Sequence, residues 1–204
     1  MNILILCNGE PPPKSLLEEQ LQWADLFIAA DGGGNTAHDF GYAPDIVIGD
    51  LDSYHSRPDA GYPVIHDPDQ YSNDLEKALK LAQHKGGSNI VVLAATGLRL
   101  DQTLKNLSVL KQFDAHFNRI TFEDAKGTTF LAPNPFSQSI PVGTTVSLFP
   151  LSGRVEGITT KGLKYPLKDS FLENGHFDGS SNEVVVSPVS IQHKKGDLLL
   201  YIAK

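Results

Sequence analysis

Short apolar runs alternate with helical patterns over about the first 125 residues of the chain. The runs are rich in β-branched residues, are apolar at successive positions, and cover residues 3–7, 26–30, 46–48, 64–65, 90–94 and 120–122. Successive apolar residues are typical of parallel strands that are covered on both faces. Strands that alternate with helices therefore predict an α/β fold with a doubly wound, mostly parallel sheet.

Capping patterns and apolar faces mark the helices between these strands. Ser15 followed by Glu18 predicts a capping box for a helix through Trp23, and Asn73 followed by Glu76 resembles another. The second of these helices places one apolar face inward, made of Leu75, Ala78, Leu79 and Ala82. A third helix is predicted over residues 102–113, with inward-facing Leu104, Leu107 and Leu110.

The helical period stops after about residue 127. Short strands separated by proline and glycine turns are predicted at residues 128–131, 144–149, 155–159, 183–186 and 197–203. Strands at this spacing predict a small all-β domain, a sandwich or a barrel, of which we expect the sandwich. The expected domains are therefore residues 1–126 and 127–204.

Composition narrows the class of protein. The 204 residues carry 17 basic and 24 acidic side chains, a net charge of −7, which argues against a nucleic-acid partner. Cys7 is the single cysteine, so an intrachain disulfide is excluded, and its apolar surroundings predict a buried, inert thiol. The chain shows no apolar stretch of membrane length and no signal-peptide pattern, so we expect a soluble, cytoplasmic protein without a membrane partner.

Acidic residues and glycines follow four of the predicted strands. They occupy residues 31–35, 49–53, 67–74 and 96–102. Such residues are common in turns, which explains any one of these segments. Ligands of open α/β sheets bind beyond the carboxyl ends of the strands, so four such segments together favour a binding cleft at that edge.

Two aspartates in the second segment suggest a metal site. Asp50 and Asp52 are two residues apart, so in an extended segment their carboxylates project to the same side. Two close anions raise each other's pKa, and a divalent cation such as Mg²⁺ removes that cost. Asp74, at the start of a predicted helix, completes a candidate ligand set, although an acid there also complements the helix dipole.

The glycines after the second strand leave two interpretations open. Gly32, Gly33 and Gly34 allow backbone to approach a phosphate closely. Gly32, Gly34 and Ala37 also fit G-x-G-x-x-A, and Asp52 follows about 20 residues on, which indicates a nicotinamide-dependent oxidoreductase as the alternative. The glycines follow the second strand rather than the first, which favours the phosphate interpretation.

Arg99 and Asp101 flank Leu100 at the start of the third predicted helix. The guanidinium of Arg99 suits a phosphate, and the carboxylate of Asp101 suits a ribose or adenine group. The alternatives are a local surface ion pair between these two residues, or a helix-capping role for Asp101.

Several of these segments together resemble the thiamine pyrophosphokinase family. Residues 44–53 resemble its P-D-x-I-x-G-D-[FL]-D-S signature, and residues 30–35 match A-D-G-G-x-N. Residues 69–79 are similar to D-Q-x-x-T-D-x-x-K-x-[LI], and residues 97–107 to G-G-R-x-D-[HQ]-x-[LM]-x-N. Residues 160–167 and 181–183 resemble the thiamine-side motifs T-x-G-[LF]-K-[WY] and S-N. Asn73, Leu98 and Tyr165 depart from the usual threonine, glycine and, in some relatives, tryptophan.

The resemblance implies an enzyme that transfers pyrophosphate from ATP to the hydroxyl of thiamine and releases AMP. With this reaction, the hypothesis is that Asp50, Asp52 and Asp74 hold one or two Mg²⁺ ions, with Asp52 as an alternative proton acceptor, and that Arg99 and Asp101 have catalytic roles. ATP is then expected to contact residues of the first domain, namely Asp31, Gly32, Gly33, Asn35, Gln70, Thr96, Gly97, Arg99, Asp101 and Gln102.

For the second domain, the resemblance implies thiamine contacts from Tyr165, Ser181 and Asn182. It further implies a homodimer with the thiamine sites at the subunit interface. A module that binds nucleotide or thiamine without turnover is a third hypothesis, and it predicts saturable binding with no release of AMP.

Overall fold

The computed structural model describes residues 1–57 and 60–204. The chain forms two compact units, Met1–Ala125 and Lys126–Lys204. The sequence places the boundary after residue 126. None of the described helices is long and apolar enough to cross a membrane.

The first unit is a parallel sheet with helices. Its strands are β1 (Asn2–Leu6), β2 (Leu26–Ala30), β3 (Ile46–Gly49), β4 (Val64–His66), β5 (Asn89–Leu93) and β6 (Arg119–Glu123). Its helices are α1 (Lys14–Trp23), α2 (Gly33–Asp39), α3 (Asp74–His84) and α4 (Leu100–Phe113), followed by a 3₁₀ turn at Asp114–His116. The strand order is β6-β5-β1-β2-β3-β4, and every neighbouring pair is parallel. The predicted α/β class is confirmed.

The central strands are buried on both faces, as their continuous apolar runs predict. Ile3, Leu4 and Ile5 of β1 have no exposed surface. Strand β4 is different because it lies at the edge of the sheet, where Val64 and Ile65 are about 40% exposed (41% and 37%). The interpretation of residues 64–65 as a covered central strand is therefore wrong.

Helix α1 begins two residues earlier than the predicted capping box requires. Pro13 is its N-cap residue and makes no side-chain capping hydrogen bond, while Ser15 lies inside the helix. A proline fixes φ near the helical value, so it starts a helix without a capping side chain. The Glu18 carboxylate accepts a hydrogen bond from the Tyr42 hydroxyl at 2.7 Å instead of closing a box. The capping box at Ser15 is wrong.

Asn73 is the N-cap residue of α3, as predicted. Its side-chain oxygen accepts a hydrogen bond from the backbone N–H of Glu76 at 3.0 Å. The Glu76 carboxylate does not return to the cap; it contacts Lys80 and Lys105. The apolar face predicted for this helix is buried: Leu75, Ala78, Leu79 and Ala82.

Helix α4 buries only part of the predicted face, including Leu110. Leu104 is 56% exposed and Leu107 is half-buried, whereas the buried residues are Asn106, Val109, Leu110 and Phe113. The buried position of Asn106 is satisfied because its amide donates to the carbonyl of Ala95 at 2.7 Å. A polar residue therefore faces inward, and the prediction that Leu104 faces the core is wrong.

The second unit consists of antiparallel strands. They are β7 (Gly127–Leu131), β8 (Phe136–Gln138), β9 (Thr145–Pro150), β10 (Val155–Lys161), β11 (Ser170–Leu172), β12 (Gly179–Glu183), β13 (Val189–Gln192) and β14 (Leu198–Ala203). They pair in the orders β12-β9-β14-β7 and β11-β10-β13-β8. Both sets contribute to one apolar core that includes Phe130, Leu148, Ile158 and Ile191. The all-β class of the second domain is confirmed.

The strand predicted at residues 183–186 is misplaced. Strand β12 ends at Glu183, and Val185 and Val186 are exposed at 42% and 61%. The strand itself is the polar sequence Gly-Ser-Ser-Asn-Glu, paired to β9 with a register shift, so it carries no apolar alternation. The sequence analysis also missed β8, β11 and β13, which are three or four residues long.

Candidate active site

A cleft of about 680 Å³ opens at the carboxyl edge of the parallel sheet. The segments that follow β1, β2, β3, β4 and β5 line it, together with the first residues of α3 and the N-terminal half of α4. Among the predicted site residues, the lining includes Asp31, Asp50, Asp52, Gln70, Asp74, Gly97, Arg99 and Gln102. It does not include Gly32, Gly33, Asn35, Thr96 or Asp101.

Three carboxylates converge in this cleft. Asp31, Asp50 and Asp74 each present an oxygen, and these oxygens lie within 4.8 Å of one another. Asp31 is 3% exposed, and its Oδ1 atom is buried without a hydrogen-bond partner. Since a buried carboxylate oxygen needs a partner, this donor set fits a hard divalent cation such as Mg²⁺.

The pKa shifts of the three carboxylates and the repulsion between them also favour a bound cation. Burial raises the pKa of Asp31 and of Asp74, and their mutual repulsion adds to the pKa shift of Asp31. The backbone N–H of Asp52 donates to the Asp50 carboxylate and lowers the pKa of Asp50. A cation among these oxygens would offset both the repulsion and the cost of burial.

Asp52 does not take the predicted position. Leu51 has a φ of 64°, so the segment is a left-handed turn instead of an extended strand. The Asp52 N–H folds back onto Asp50 Oδ1 at 3.2 Å, and the exposed Asp52 carboxylate accepts a hydrogen bond from the Ser53 hydroxyl at 2.8 Å. The expectation that Asp50 and Asp52 project side by side is therefore wrong, and among the described residues Asp31 occupies the third place in the cluster.

Lys77, the lysine of the D-x-x-K pattern within residues 69–79, is a site residue to which the sequence analysis gave no role. Its side chain is 1% exposed, and its Nζ atom lies 3.3 Å from Asp74 Oδ1, one helical turn away. Asp74 Oδ1 also accepts the N–H of Asp50 at 3.3 Å, while the Gln70 amide donates to Asp50 Oδ2 at 3.2 Å. An acid followed by lysine at i+3 in a helix was the available signal, although such a lysine is usually solvated.

Arg99 and Asp101 form an exposed pair at the rim of the cleft. Arg99 Nε lies 3.1 Å from Asp101 Oδ1, and Nη2 lies 2.6 Å from Oδ2. The observed geometry is the local surface ion pair left open as the alternative. The preceding turn is left-handed at Gly97 and Leu98, with φ of 82° and 53°. A Cβ on Gly97 would come within 2.5 Å of the Glu10 side chain, so this position requires glycine.

The glycines after β2 serve close packing. A Cβ on Gly33 would lie 2.0 Å from the carbonyl oxygen of Leu6, and one on Gly32 would lie 2.4 Å from the Asn8 side chain. Helix α2 therefore approaches β1 closely because both positions lack a side chain. Asn35 holds the segment after β3, since its amide donates to the Ser53 carbonyl and accepts from the His55 N–H.

The exit of β1 contributes to the cleft without having been predicted. Cys7, Asn8 and Gly9 line it, as do Lys105 and Asn106 of α4. An Asn-Gly pair after the first apolar run was the signal for this segment. Cys7 is buried, as predicted, and burial raises the pKa of its thiol.

The second unit has its own pocket, of about 380 Å³. Tyr165 and Asn182 line it beside Phe177 and Asp178, and Ser181 does not. The Asn182 amide binds the backbone of Tyr165 in both directions, at 2.9 and 3.0 Å, which fixes the position of the tyrosine. The Tyr165 side chain is 64% exposed, so its ring is available to a ligand.

Comparison with known proteins follows the same division of the chain. Residues 17–122 match the model of the catalytic domain of thiamin pyrophosphokinase, and residues 136–198 match that of its vitamin B1 binding domain. The chain belongs to the thiamin pyrophosphokinase family.

Relatives in this family cover nearly the whole chain. The chain is 30% identical to thiamin pyrophosphokinase 1 of Caenorhabditis elegans, over 94% of this chain and 85% of that protein. It is 28% identical to thiamine pyrophosphokinase of Bacillus subtilis, over 92% and 93% of the two chains. The nicotinamide-dependent and non-catalytic alternatives find no support in these comparisons.

Solved structures of the thiamin pyrophosphokinase family share the fold. The crystal structure of the Bacillus subtilis enzyme superposes with a TM-score of 0.85 at 24% identity, covering 100% of this chain and 99% of that chain. The yeast enzyme superposes with a TM-score of 0.87 at 19% identity, covering 99% and 86%. At these identities the superpositions establish the fold.

Proposed function

We propose that the protein transfers pyrophosphate from ATP to the hydroxyl group of thiamine, giving thiamine diphosphate and AMP. One observation carries the proposal: Asp31, Asp50 and Asp74 converge in the cleft, and Oδ1 of Asp31 is buried there without a hydrogen-bond partner. The chain that holds this cluster belongs to the thiamin pyrophosphokinase family. Transfer of a phosphoryl-type group requires mainly positioning and neutralisation of charge, and a cleft of this kind supplies both.

Asp31, Asp50 and Asp74 would hold Mg²⁺. When bound, Mg²⁺ neutralises phosphate charge and polarises the phosphorus that thiamine attacks. Asp31 thus replaces Asp52 in the ligand set expected from the sequence. Asp52 lines the same cleft with an exposed carboxylate, and we propose that it accepts the proton of the thiamine hydroxyl.

Arg99 is the proposed phosphate ligand at the rim. A guanidinium has five N–H donors, and Asp101 engages only its Nε and Nη2 groups, so donors remain for a phosphate oxygen. Asp101 would then affect the phosphate indirectly, because its carboxylate holds the Arg99 guanidinium in place. Gln70, which donates to Asp50, and Gln102 line the same cleft and would orient the nucleotide.

The remaining ATP contacts proposed from the sequence are Gly32, Gly33, Asn35, Thr96 and Gly97. Of these, Gly97 lines the cleft. Gly32 and Gly33 would act through backbone N–H groups, and Asn35 by holding the segment that carries Asp52 and Ser53.

Thiamine is proposed to bind the pocket of the second unit. The ring of Tyr165 would face the cationic thiazolium, an interaction that aromatic faces favour. Asn182 would position Tyr165 through its backbone, and Ser181 is retained as a proposed hydrogen-bond partner of the aminopyrimidine. The homodimer with interfacial thiamine sites and the cytoplasmic location remain predictions.

Release of AMP tests the proposal directly. Purified protein with ATP, thiamine and Mg²⁺ should release one AMP for each thiamine diphosphate formed, and omission of thiamine or Mg²⁺ should stop it. Saturable binding of ATP and thiamine without AMP would favour the binding module instead. Thermal stabilisation by NAD(H), with none by an ATP analogue plus Mg²⁺, would favour the oxidoreductase.

A further inference from the structure

Lys77 places a buried ammonium group beside the carboxylates of the cleft. Its side chain is 1% exposed, and the hydrogen bond from Nζ to Asp74 Oδ1 is 3.3 Å long. A lysine is almost never buried to this extent unless an anion accompanies it. Asp74 Oδ1 also accepts the N–H of Asp50, so Lys77 and the Asp50 backbone together fix the Asp74 carboxylate.

The neighbouring lysines, Lys80 of α3 and Lys105 of α4, contact a different acid, Glu76. Lys80 lies 3.1 Å and Lys105 lies 3.3 Å from the Glu76 carboxylate, and their side chains are 48% and 41% exposed. Arg99 is paired with Asp101 at the rim. Lys77 is thus the cation that contacts the carboxylate cluster among the ion pairs described for this cleft.

The charges around Lys77 leave a defined deficit. Asp31, Asp50 and Asp74, together with Asp52, whose charge also acts on Asp31, bring four negative charges, and the Lys77 ammonium brings one positive charge, which leaves three negative charges. One divalent cation reduces this remainder to one negative charge, and the unpartnered Asp31 Oδ1 offers it a ligand atom. A second divalent ion on the same protein groups would leave a net positive charge beside a buried ammonium.

We propose that Lys77 is a built-in counter-ion that holds the three carboxylates together before a metal binds and limits the protein's own cation site to one divalent ion. Lys77 is a positioning residue, since it acts through Asp74. The proposal rests on the cation site of the proposed function and not on the reaction.

Mn²⁺ binding to the purified full chain, without ATP or thiamine, tests the proposal. The wild type should bind one Mn²⁺ per chain, counted by electron paramagnetic resonance or calorimetry. Lys77→Met removes the charge with little change in length, so the metal-free protein should melt at a lower temperature. It should also bind Mn²⁺ at least about fivefold more tightly, because a repelling charge is gone. Lys77→Arg, which keeps the charge, should restore affinity toward the wild-type value.

Lys80→Met is the matched control. Lys80 lies about one turn further along α3, its side chain is half exposed, and it contacts Glu76 instead of the carboxylate cluster. Its Mn²⁺ affinity should equal that of the wild type. Equal or weaker Mn²⁺ binding by folded Lys77→Met would overturn the proposal, as would two Mn²⁺ ions on the wild type. If Lys77→Met folds only when Mn²⁺ is present, the proposal is supported. If it folds neither with nor without Mn²⁺, the number of Mn²⁺ ions bound per wild-type chain is the test: one ion supports the proposal and two overturn it. Failure of AMP release would overturn the proposed reaction and leave these binding results standing.

Discussion

A single oxygen atom, Oδ1 of Asp31, links the local structure of this protein to its chemistry. The residue follows β2 with a φ of 46°, and its N–H donates to the Ile48 carbonyl, which ties it to the neighbouring strand. The apposition of β2 and β3 then brings Asp31 toward Asp50. The apo protein bears the cost of a buried carboxylate in this position, and a bound cation would offset that cost.

Asp31→Asn should therefore stabilise the metal-free protein while it removes a metal ligand. Because burial raises the pKa of Asp31, the carboxyl favours folding at low pH, and this contribution is lost as pH rises through the raised pKa. At pH 7.5 the neutral amide should raise the free energy of unfolding by about 1 kcal/mol, or Tm by roughly 2–4 °C. The gain should shrink as pH falls toward about 4.

Differential scanning calorimetry with and without Mg²⁺ checks this expectation. The wild type should be stabilised by Mg²⁺ at pH 7.5, and Asp31→Asn should show little further stabilisation by the ion. Glu19→Gln is the control, because its exposed carboxylate lies on α1 outside the cleft and its replacement should leave both values near those of the wild type. A lower Tm for metal-free Asp31→Asn at pH 7.5 would contradict the account given for this residue.

At the scale of single residues, the sequence indicates the kind of chemistry but not the full ligand set. The aspartates at the strand exits identify an oxygen-rich cation site, since the residue types and their positions after strands are visible. The left-handed turn at Leu51 is not visible, because a leucine gives no signal for a positive φ. The burial of Lys77 depends on packing around α3, which no short pattern encodes.

At the scale of elements, a hydrogen bond links the start of helix α3, next to Asp74, to helix α4. Asn73 caps the helix through Glu76 N–H, and its amide also donates to Asn106 of α4 at 2.8 Å. Asn106 in turn donates to the Ala95 carbonyl after β5. The start of α3, which carries Asp74, is thus tied to the middle of α4 and to the segment after β5.

Asn73→Ala should destabilise the protein by about 1–2 kcal/mol, because it removes both the cap of α3 and a buried hydrogen bond. Asn73→Thr should lose less, since a threonine hydroxyl still caps the helix. Urea unfolding followed by circular dichroism measures both values. Ser15→Ala is the control: Ser15 lies inside α1 and caps nothing, so its replacement should change stability by less than about 0.5 kcal/mol. Equal losses at residues 15 and 73 would contradict this assignment of caps.

Helices and strands were predictable wherever one local signal dominated. The continuous apolar runs of β1, β2 and β5 predict buried strands because burial on both faces is the strongest constraint on such a sequence. The buried face of α4 was not predictable, since the inward position of Asn106 depends on a carbonyl that a distant strand supplies. Strand β12 was misplaced because its pairing partners, and not its own residues, define it.

At the scale of the whole molecule, each compact unit contains a pocket of its own. The cleft of the first unit is acidic and polar, and it holds the carboxylates. The pocket of the second unit is smaller and presents the exposed ring of Tyr165. The matches to a catalytic domain and to a vitamin B1 binding domain fall on the same two units. We therefore expect substitutions in the two units to affect the two substrates differently.

Tyr165→Ala should raise the KM for thiamine about five- to thirtyfold and leave the KM for ATP nearly unchanged, because loss of a cation–aromatic contact costs about 1–2 kcal/mol. Steady-state kinetics with each substrate varied in turn measures the two constants. Tyr165→Phe keeps the aromatic face and should stay within about threefold of the wild type. Similar increases in both KM values would remove Tyr165 from the proposed thiamine pocket.

The rim of the first cleft is built from backbone conformations that ordinary side chains avoid. Asp31, Leu51, Ala94 and Leu98 all have left-handed φ values, and each lies in a segment that follows a parallel strand. A left-handed residue with a side chain costs about 1–2 kcal/mol, so the well-packed strands must hold this rim in a shape it would not adopt alone. Gentle loosening of the sheet should therefore release the rim first, and mild urea should abolish ligand binding before the secondary structure melts.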